Sequence, residues 1–225
     1  MLAARRAAEE VRDGMVVGLG TGSTATALVA ALGERVRAGL RFVGVPTSEA
    51  TARQAAALGI PLCALEDRPA EDGPALDLDI DGADEVDGRG DLLKGLGGAL
   101  LREKIVAAAA ARLVIVVDEG KLVARLGEKA PLPVEVVPFG WSHTAARVRA
   151  LGGSATLRGG ARAPVLTDGG NYVLDCRFPA SLDLRTLAAP LKALVGVVEH
   201  GLFTGMRPTV IVGSADGECL LRRWE

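Results

Sequence analysis

MVVGLGTGSTATALVAALGERVR (residues 15–37) decides the fold. A short apolar run, MVVGLG (15–20), meets a glycine-rich turn, and Thr24 to Arg37 follows with helical spacing of its apolar residues. Strand, turn and helix in that order form the first half of a βαβ unit. Outward from this stretch the alternation repeats. RFVGVP (41–46) reads as a strand, and Ser48 to Leu58 as a helix capped by Ser48 and stopped by Gly59. IPLCAL (60–65) and ALDLDI (75–80) read as short strands, and Gly98 to Ala111 as a helix feeding the strand RLVIVVD (112–118). Runs such as VIVV (114–117) are apolar on both faces, as when helices cover both sides of a parallel sheet. The fold class implied is α/β, with a Rossmann-like, doubly wound, mainly parallel sheet.

The pattern changes after Lys129. APLPVEVVPFG (130–140) reads as a proline-rich linker running into a strand, Ser142 to Leu151 as a helix, and SATLR (154–158) and NYVLDC (171–176) as strands around a glycine-rich loop. Leu184 to Leu194 is helical and VGVVEHGLF (195–203) a last strand, so the order is βαββαβ, that of a ferredoxin-like α+β unit. PTVIVGSADGECLL (208–221) has the look of a hairpin returning to the first sheet. The expected domains are therefore a Rossmann-like catalytic domain, 1–128 plus 206–225, and a smaller ferredoxin-like domain, 129–205, forming a cleft wall and subunit contacts.

Composition narrows the function. The chain has 225 residues, 49% of them apolar, and a formal net charge of -2 from 26 basic and 28 acidic residues. That balance offers no electrostatic reason to bind nucleic acid or an anionic membrane, and 3% aromatics leaves little to stack bases on. Three widely spaced cysteines, Cys63, Cys176 and Cys219, argue against a disulfide framework or a zinc ribbon and for a reduced, cytoplasmic setting. Cys63 and Cys176 fall in apolar runs and read as core thiols; His143 reads as a cap or surface residue, and His200 as a strand residue of the second domain. The start, MLAARRAAEEVRDG (1–14), has no apolar segment of a secretory signal, and Ile105 to Val117 is too short to span a bilayer.

In an open parallel sheet, ligands bind at the carboxyl ends of the strands, and four polar loops are expected there. GLGTGST (18–24) combines close backbone approach, the hydroxyls of Ser23 and Thr24, and a helix N-terminus that favours an anion. It lacks the lysine of a P-loop, and Pro46-Thr47-Ser48 stands where a dinucleotide site would place an acid, so a phosphate cradle is the better reading beside a plain βα turn. DLDIDGADEVD (77–87) puts Leu78 and Ile80 on one face and Asp81 at the strand's end, with Asp84 just beyond; a solvated acidic turn is the bland alternative. LLKGLGGALLREKIVAAAA (92–110) leads into a helix apolar or small nearly all round, and hence expected to be buried, that still carries Arg102, Glu103 and Lys104. Glu103, surrounded at helical spacing by Ala99, Val106, Ala107 and Ala110, is expected to face a desolvated cleft, which would raise its pKa toward that of a general base. Lys94 could meet it there. DEGKLV (118–123) could bring Lys121 to a phosphate, or be a surface turn. Together these loops suit metal-free proton transfer beside the carbonyl of a phosphorylated substrate.

At these residues the chain resembles ribose-5-phosphate isomerases of type A. GLGTGSTA, PTSEAT, DIDGADEVD, KGLGGALLREKIVA and DEGKLV stand in the family's order and spacing, and PVEVVPFG, TDGGNYVLDC and VVEHGLFTGM extend the match over nearly the whole chain. The resemblance implies interconversion of ribose 5-phosphate and ribulose 5-phosphate through a cis-enediol, in the non-oxidative pentose phosphate pathway. It implies no metal or other cofactor, and a homodimer or homotetramer. Glu103 matches the family's base, Asp81 a residue assisting ring opening and proton movement at the oxygens, and Asp84 and Lys94 its polar partners, the lysine facing developing oxyanion charge. Thr21, Gly22, Ser23 and Thr24, the segment Asp81-Gly82-Ala83-Asp84, the segment Lys94-Gly95-Leu96-Gly97, and Lys121 match the substrate-binding positions. Two departures stand out. Leu96 replaces a usual glycine, with loop shape expected to survive. The family's lysine near the start of the first helix has only Arg5 and Arg6 to stand for it; either could grip phosphate, or both could belong to a solvated helix face.

Three other classes compete. A non-catalytic sugar-phosphate sensor would keep GLGTGST but need not keep Glu103, Asp81, Asp84 and Lys94 together. A coenzyme A transferase would carry its glutamate in a different local motif. A dinucleotide-dependent dehydrogenase would need the missing acid.

Overall fold

The computed structural model describes residues 2–68, 73–214, 216 and 218–223. The chain begins with helix α1 (Leu2–Ala8), then β1 (Val16–Leu19), α2 (Ser23–Arg37), β2 (Val43–Pro46), α3 (Glu49–Ala57) and β3 (Leu78–Gly82). Two short strands follow, β4 (Glu85–Val86) and β5 (Leu92–Leu93), then α4 (Leu100–Ala109), β6 (Leu113–Asp118) and β7 (Leu132–Val136). The remaining elements are α5 (Trp141–Arg149), β8 (Ser154–Leu157), β9 (Tyr172–Arg177), α6 (Ala188–Lys192), β10 (Val197–His200), β11 (Leu202–Phe203), β12 (Thr209–Gly213) and β13 (Cys219–Arg222). The chain separates into two compact units, Met1–Ala83 with Arg102–Lys121 and Met206–Glu225, and Asp84–Leu101 with Leu122–Gly205.

The first unit is built on a six-stranded sheet in the order β13-β12-β6-β3-β1-β2, parallel throughout except for the final hairpin strand. The hairpin does return to this sheet; Ala215 and Gly217 lie outside the described residues. Alternation sends Val17, Leu19, Leu78, Ile80, Val114 and Val116 to one face, where Leu28, Val29 and Leu32 of α2 and the small face of α1 cover them. The other face packs Val16 and Val45 against Val106 of α4. Helices on both faces match the doubly wound expectation. From β1 the chain passes outward to β2 and then returns to β3 on the opposite side, so the strand order reverses between β1 and β3. That reversal opens a crevice at the carboxyl ends of the two strands.

The second unit holds a four-stranded antiparallel sheet, β10-β7-β9-β8, in which the first and second strands are joined through α5 and the third and fourth through α6. This is the βαββαβ arrangement expected from the sequence. Leu132, Val134, Val136, Leu174 and Cys176 pack against Ala145 and Val148 of α5 and Leu191 of α6. A small sheet, β11-β5-β4, belongs to the same unit. Residues 84–101 and 122–128, placed with the first domain by sequence pattern, therefore group with the second unit. Glu85 anchors them there: fully buried, its carboxylate accepts backbone N–H bonds from Gly127 (2.5 Å), Lys129 (2.6 Å) and Ala130 (2.7 Å).

Several expected elements differ in detail. Residues 60–65 form no strand; Leu62 makes only an isolated bridge to Gly44, since Pro61 has no N–H to donate to a ladder. Cys63 is accordingly half-buried outside any strand, not a core thiol, whereas Cys176 is buried on β9. The run 195–203 breaks at Gly201 into β10 and β11, which join different sheets. Helix α4 is shorter than expected and is buried along one side only, with Ile105 47% exposed. The region 184–194 opens as a 3-10 turn capped by Asp183, with α6 proper covering Ala188–Lys192.

Candidate active site

Parallel pairing of β1 with β3 sets Gly18 beside Asp79 and Leu19 beside Ile80. With the apolar residues of β3 committed to the α2 face, Asp79 and Asp81 must project from the other, and Gly18 and Gly20 make room for them. A Cβ on Gly18 would lie 2.4 Å from Asp79 Oδ1, and one on Gly20 would lie 2.0 Å from Asp81 Oδ1. Glycine is therefore required at both positions for space rather than for unusual φ. Asp79 is fully buried and Asp81 2% exposed. Asp81 Oδ1 accepts from the backbone N–H groups of Thr21 (3.1 Å) and Gly82 (2.7 Å), which ties the Gly-rich turn after β1 to the end of β3.

Helix α4, which carries Glu103, packs on the face of the sheet where Gly18 and Asp79 meet. The helix ends beside the start of β3, where Leu76 N–H donates to Ala109 O at 3.2 Å. Val106 sits over Gly18, its Cγ1 2.5 Å from where a Cβ there would be. Glu103 is one turn earlier, about 4.5 Å along the helix axis, which carries it toward the level of Gly20 and Asp81. It is 3% exposed. Its neighbour Arg102 turns outward to an exposed ion pair with Glu49 at 2.9 Å, so three consecutive charges divide between surface and interior.

The turn itself is backed by hydroxyls. Thr21 Oγ1 meets Thr47 Oγ1 at 2.7 Å, Thr51 Oγ1 donates to Gly20 O at 2.9 Å, and Thr47 Oγ1 donates to Leu19 O at 3.0 Å. Thr47 and Thr51, both buried, are structural partners of the site that the motif PTSEAT contains but spacing alone does not reveal. Gly22, at φ 109°, is the N-cap of α2 and supplies no side chain there, so the helix N-terminus beside exposed Ser23 and half-buried Thr24 is left to solvent or an anion. Half-buried Lys121 ends the turn that follows β6, at the same carboxyl edge. Arg5 and Arg6, in contrast, are engaged at the surface, Arg5 with Glu34 (3.3 Å) and Arg6 with Glu9 (3.3 Å) and Glu10 (3.2 Å).

The second unit carries the remaining predicted residues. Asp84 Oδ2 accepts from Leu96 N–H at 2.9 Å. Lys94, 3% exposed, donates its backbone N–H to Gly201 O at 2.9 Å and lays its ammonium over the Phe203 ring, 5.5 Å from the centroid. Gly95 (φ 105°) and Gly98 (φ 82°) take backbone conformations that favour glycine, but Leu96 does not, and its side chain points outward at 42% exposure. Leucine is therefore accommodated at 96 without backbone strain. Arg158, not singled out from the sequence, donates from Nη1 to Gly95 O (3.1 Å) and Leu96 O (2.9 Å). Among the described residues no three His, Cys, Asp or Glu side chains gather as they would around a metal ion, and no helix is long and apolar enough to cross a membrane.

The family model for ribose 5-phosphate isomerase A (phosphoriboisomerase A) matches residues 43–217. The chain belongs to this family. Ribose-5-phosphate isomerase A of Synechococcus sp. (strain JA-3-3Ab) is 55% identical over 98% of this chain and 95% of its own length. The Gloeobacter violaceus family member is 57% identical over 96% of this chain and 92% of its own. Among solved family structures, ribose 5-phosphate isomerase A from Methanocaldococcus jannaschii superposes with a TM-score of 0.88 at 40% identity, covering 98% of this chain and 96% of that one. A D-ribose-5-phosphate isomerase in complex with phospho-erythronic acid gives 0.90 at 38% identity, with the same coverage. Both the fold and the family anticipated from the motifs are thus borne out.

Proposed function

We propose that the chain interconverts D-ribose 5-phosphate and D-ribulose 5-phosphate, with Glu103 as the base. What supports this reading most is a carboxylate buried on α4, one turn before the Val106 that packs over Gly18, in a chain of this family. In the open-chain aldose, the Glu103 carboxylate removes the proton on C2. The C–H electrons form the C1–C2 double bond and the carbonyl electrons move to O1, giving the cis-enediolate. Protonation at O1, loss of the proton on O2 and return of the proton from Glu103 to C1 complete the ketose. Asp81 assists ring opening and moves protons between O1 and O2, its other oxygen being fixed by two N–H bonds. Lys94 opposes the negative charge that develops on oxygen. Asp84 fixes the loop that carries Lys94 through its bond to Leu96 N–H.

Thr21, Gly22, Ser23 and Thr24, with Lys121, hold the phosphorylated end; Gly82, Ala83, Gly95, Leu96 and Gly97 line the substrate. The proposed proton path is carried by side chains and includes no metal or nucleotide. Phospho-erythronic acid, bound by a relative, has a phosphate and a planar carboxylate beside a hydroxyl-bearing carbon, which supports a sugar-phosphate substrate. The setting is cytoplasmic, within the non-oxidative pentose phosphate pathway, and the working form a homodimer or homotetramer whose contacts come from the second unit. Phe139 (94% exposed) and Val195 (89% exposed) on that unit support such contacts. The test is formation of ribulose 5-phosphate from ribose 5-phosphate in excess chelator. Turnover supports the reading; binding of ribose 5-phosphate without turnover by the folded chain would replace it with a sensor.

A further inference from the structure

The loop from Lys94 to Gly98 contains three glycines, two of them at positive φ, so contacts from outside its own backbone add to its order. One side chain touches it twice. Arg158 follows β8, and its backbone N–H donates to Val173 O at 2.9 Å. Because Thr156 pairs with Asp175 across β8 and β9, Arg158 and Asp175 are diagonal neighbours on one face of that pair. Arg158 Nε donates to Asp175 Oδ2 at 3.0 Å and Nη2 to Asp175 Oδ1 at 2.5 Å, a fork-to-fork pair that sets the plane of the guanidinium. Nη1 then points to the Gly95 and Leu96 carbonyls, at 3.1 and 2.9 Å. The loop's amides are held separately, Leu96 N–H by Asp84 and Gly98 N–H by Gly95 O at 3.0 Å. A lysine, with one nitrogen, could not form the fork to Asp175 and hold the two carbonyls at the same time.

We propose that Arg158, oriented by Asp175, is a positioning residue for the 94–98 loop and acts on the isomerisation through Lys94. This rests on the reading that Lys94 and its loop serve that reaction. The Arg158 and Asp175 side chains are 15% and 27% exposed, so neither is sealed in the core, and their loss should disturb loop order more than global stability.

The experiment compares Arg158→Met, Arg158→Lys, Asp175→Asn and Lys94→Met with the wild type. Its readouts are kcat and KM for ribose 5-phosphate, thermal unfolding, and hydrogen–deuterium exchange of the peptide covering 92–100. Arg158→Met should lower kcat by about 10- to 100-fold, the scale of a small misplacement of a reacting group, and speed exchange in that peptide. Its melting temperature should stay within a few degrees. Arg158→Lys should recover little of the loss, and Asp175→Asn should move in the same direction, which keeps the proposal testable if Arg158→Met folds poorly. Wild-type exchange or wild-type kcat in folded Arg158→Met or Asp175→Asn overturns the proposal. Full turnover by Lys94→Met would remove the loop from the reaction and overturn the underlying reading as well, so the lysine variant tells the two failures apart.

Discussion

Replacing Gly20 with alanine adds one methyl group where β1 and β3 meet, and the structure allows its effect to be sized. The new Cβ would lie 2.0 Å from Asp81 Oδ1, 2.2 Å from its Cγ and 2.6 Å from its Cα. Rotation of the Asp81 side chain can relieve the first two contacts but not the third, which is backbone. Restoring an ordinary carbon–carbon separation of about 3.5 Å requires the strand ends to part by roughly 1 Å. Overpacking of this kind costs about 1–3 kcal/mol, and a backbone obstacle points to the upper end. At roughly 2–4 °C per kcal/mol for a chain of this size, the melting temperature of Gly20→Ala should fall by about 6–12 °C. The displaced carboxylate also loses its grip on Thr21 N–H, so turnover below the melting transition should drop on the order of 100-fold. Gly88→Ala is the control, since a Cβ there meets nothing within 4 Å; it should melt within about 2 °C of the wild type. Calorimetry and the ribose 5-phosphate assay read both quantities. A Gly20→Ala protein with wild-type melting and turnover would refute the argument that Asp81 occupies the space Gly20 leaves.

Other perturbations follow from single contacts. Glu85→Gln turns one of the oxygens that accept from Gly127, Lys129 and Ala130 into a donor, and should cost about 3 kcal/mol, seen as a melting temperature lower by roughly 6–12 °C; unchanged melting would contradict the buried anchor. Phe203→Leu removes the ring face beneath the Lys94 ammonium; losing about 1–2 kcal/mol of transition-state stabilisation predicts a kcat about 5- to 30-fold lower, while Phe203→Tyr should lose far less. Burial pushes the Cys176 thiol up to about 12, so it should resist alkylation in the native protein at pH 8 and react only on unfolding. Because the unfolded thiol releases its proton near its ordinary value and the folded one does not, this group's contribution to stability is complete at neutral pH and declines as pH rises toward 12; a Cys176→Ala variant with the same alkaline profile as the wild type would contradict it.

The legible parts of this protein are those where one strand or one helix carries the whole pattern. The glycines at 18 and 20 and the aspartates at 79 and 81 both alternate with period two, so the parallel register sets one pair beside the other. That register makes Asp79 the partner of Gly18. The burial of Glu103 was legible too, from its small and apolar neighbours at helical spacing. What escaped depends on pairings distant in the chain. The hydroxyl network of Thr21, Thr47 and Thr51 requires the β1–β2 register and the return of α3. Arg158 looks like any strand-end arginine until β9 brings Asp175 beside it and Gly95 and Leu96 come within reach. The run 195–203 reads as one strand by its apolar pattern; Gly201 is the local sign of a close backbone approach, since a Cβ there would lie 2.1 Å from Lys94 O where the chain passes from one sheet to another.

Glu103 is the residue on which the proposed proton transfer depends. Glu103→Gln keeps the size of a side chain that is 3% exposed while removing its charge and its capacity to take a proton and turning one oxygen into a donor. Turnover of ribose 5-phosphate in excess chelator, measured for both proteins after matching their unfolding curves, is therefore the decisive comparison. Metal-independent conversion by the wild type and a loss of at least ~100-fold in the variant are expected, the low end of a positioned base's contribution. Near-normal turnover by folded Glu103→Gln would remove this residue from the chemistry, and the proposed proton path with it.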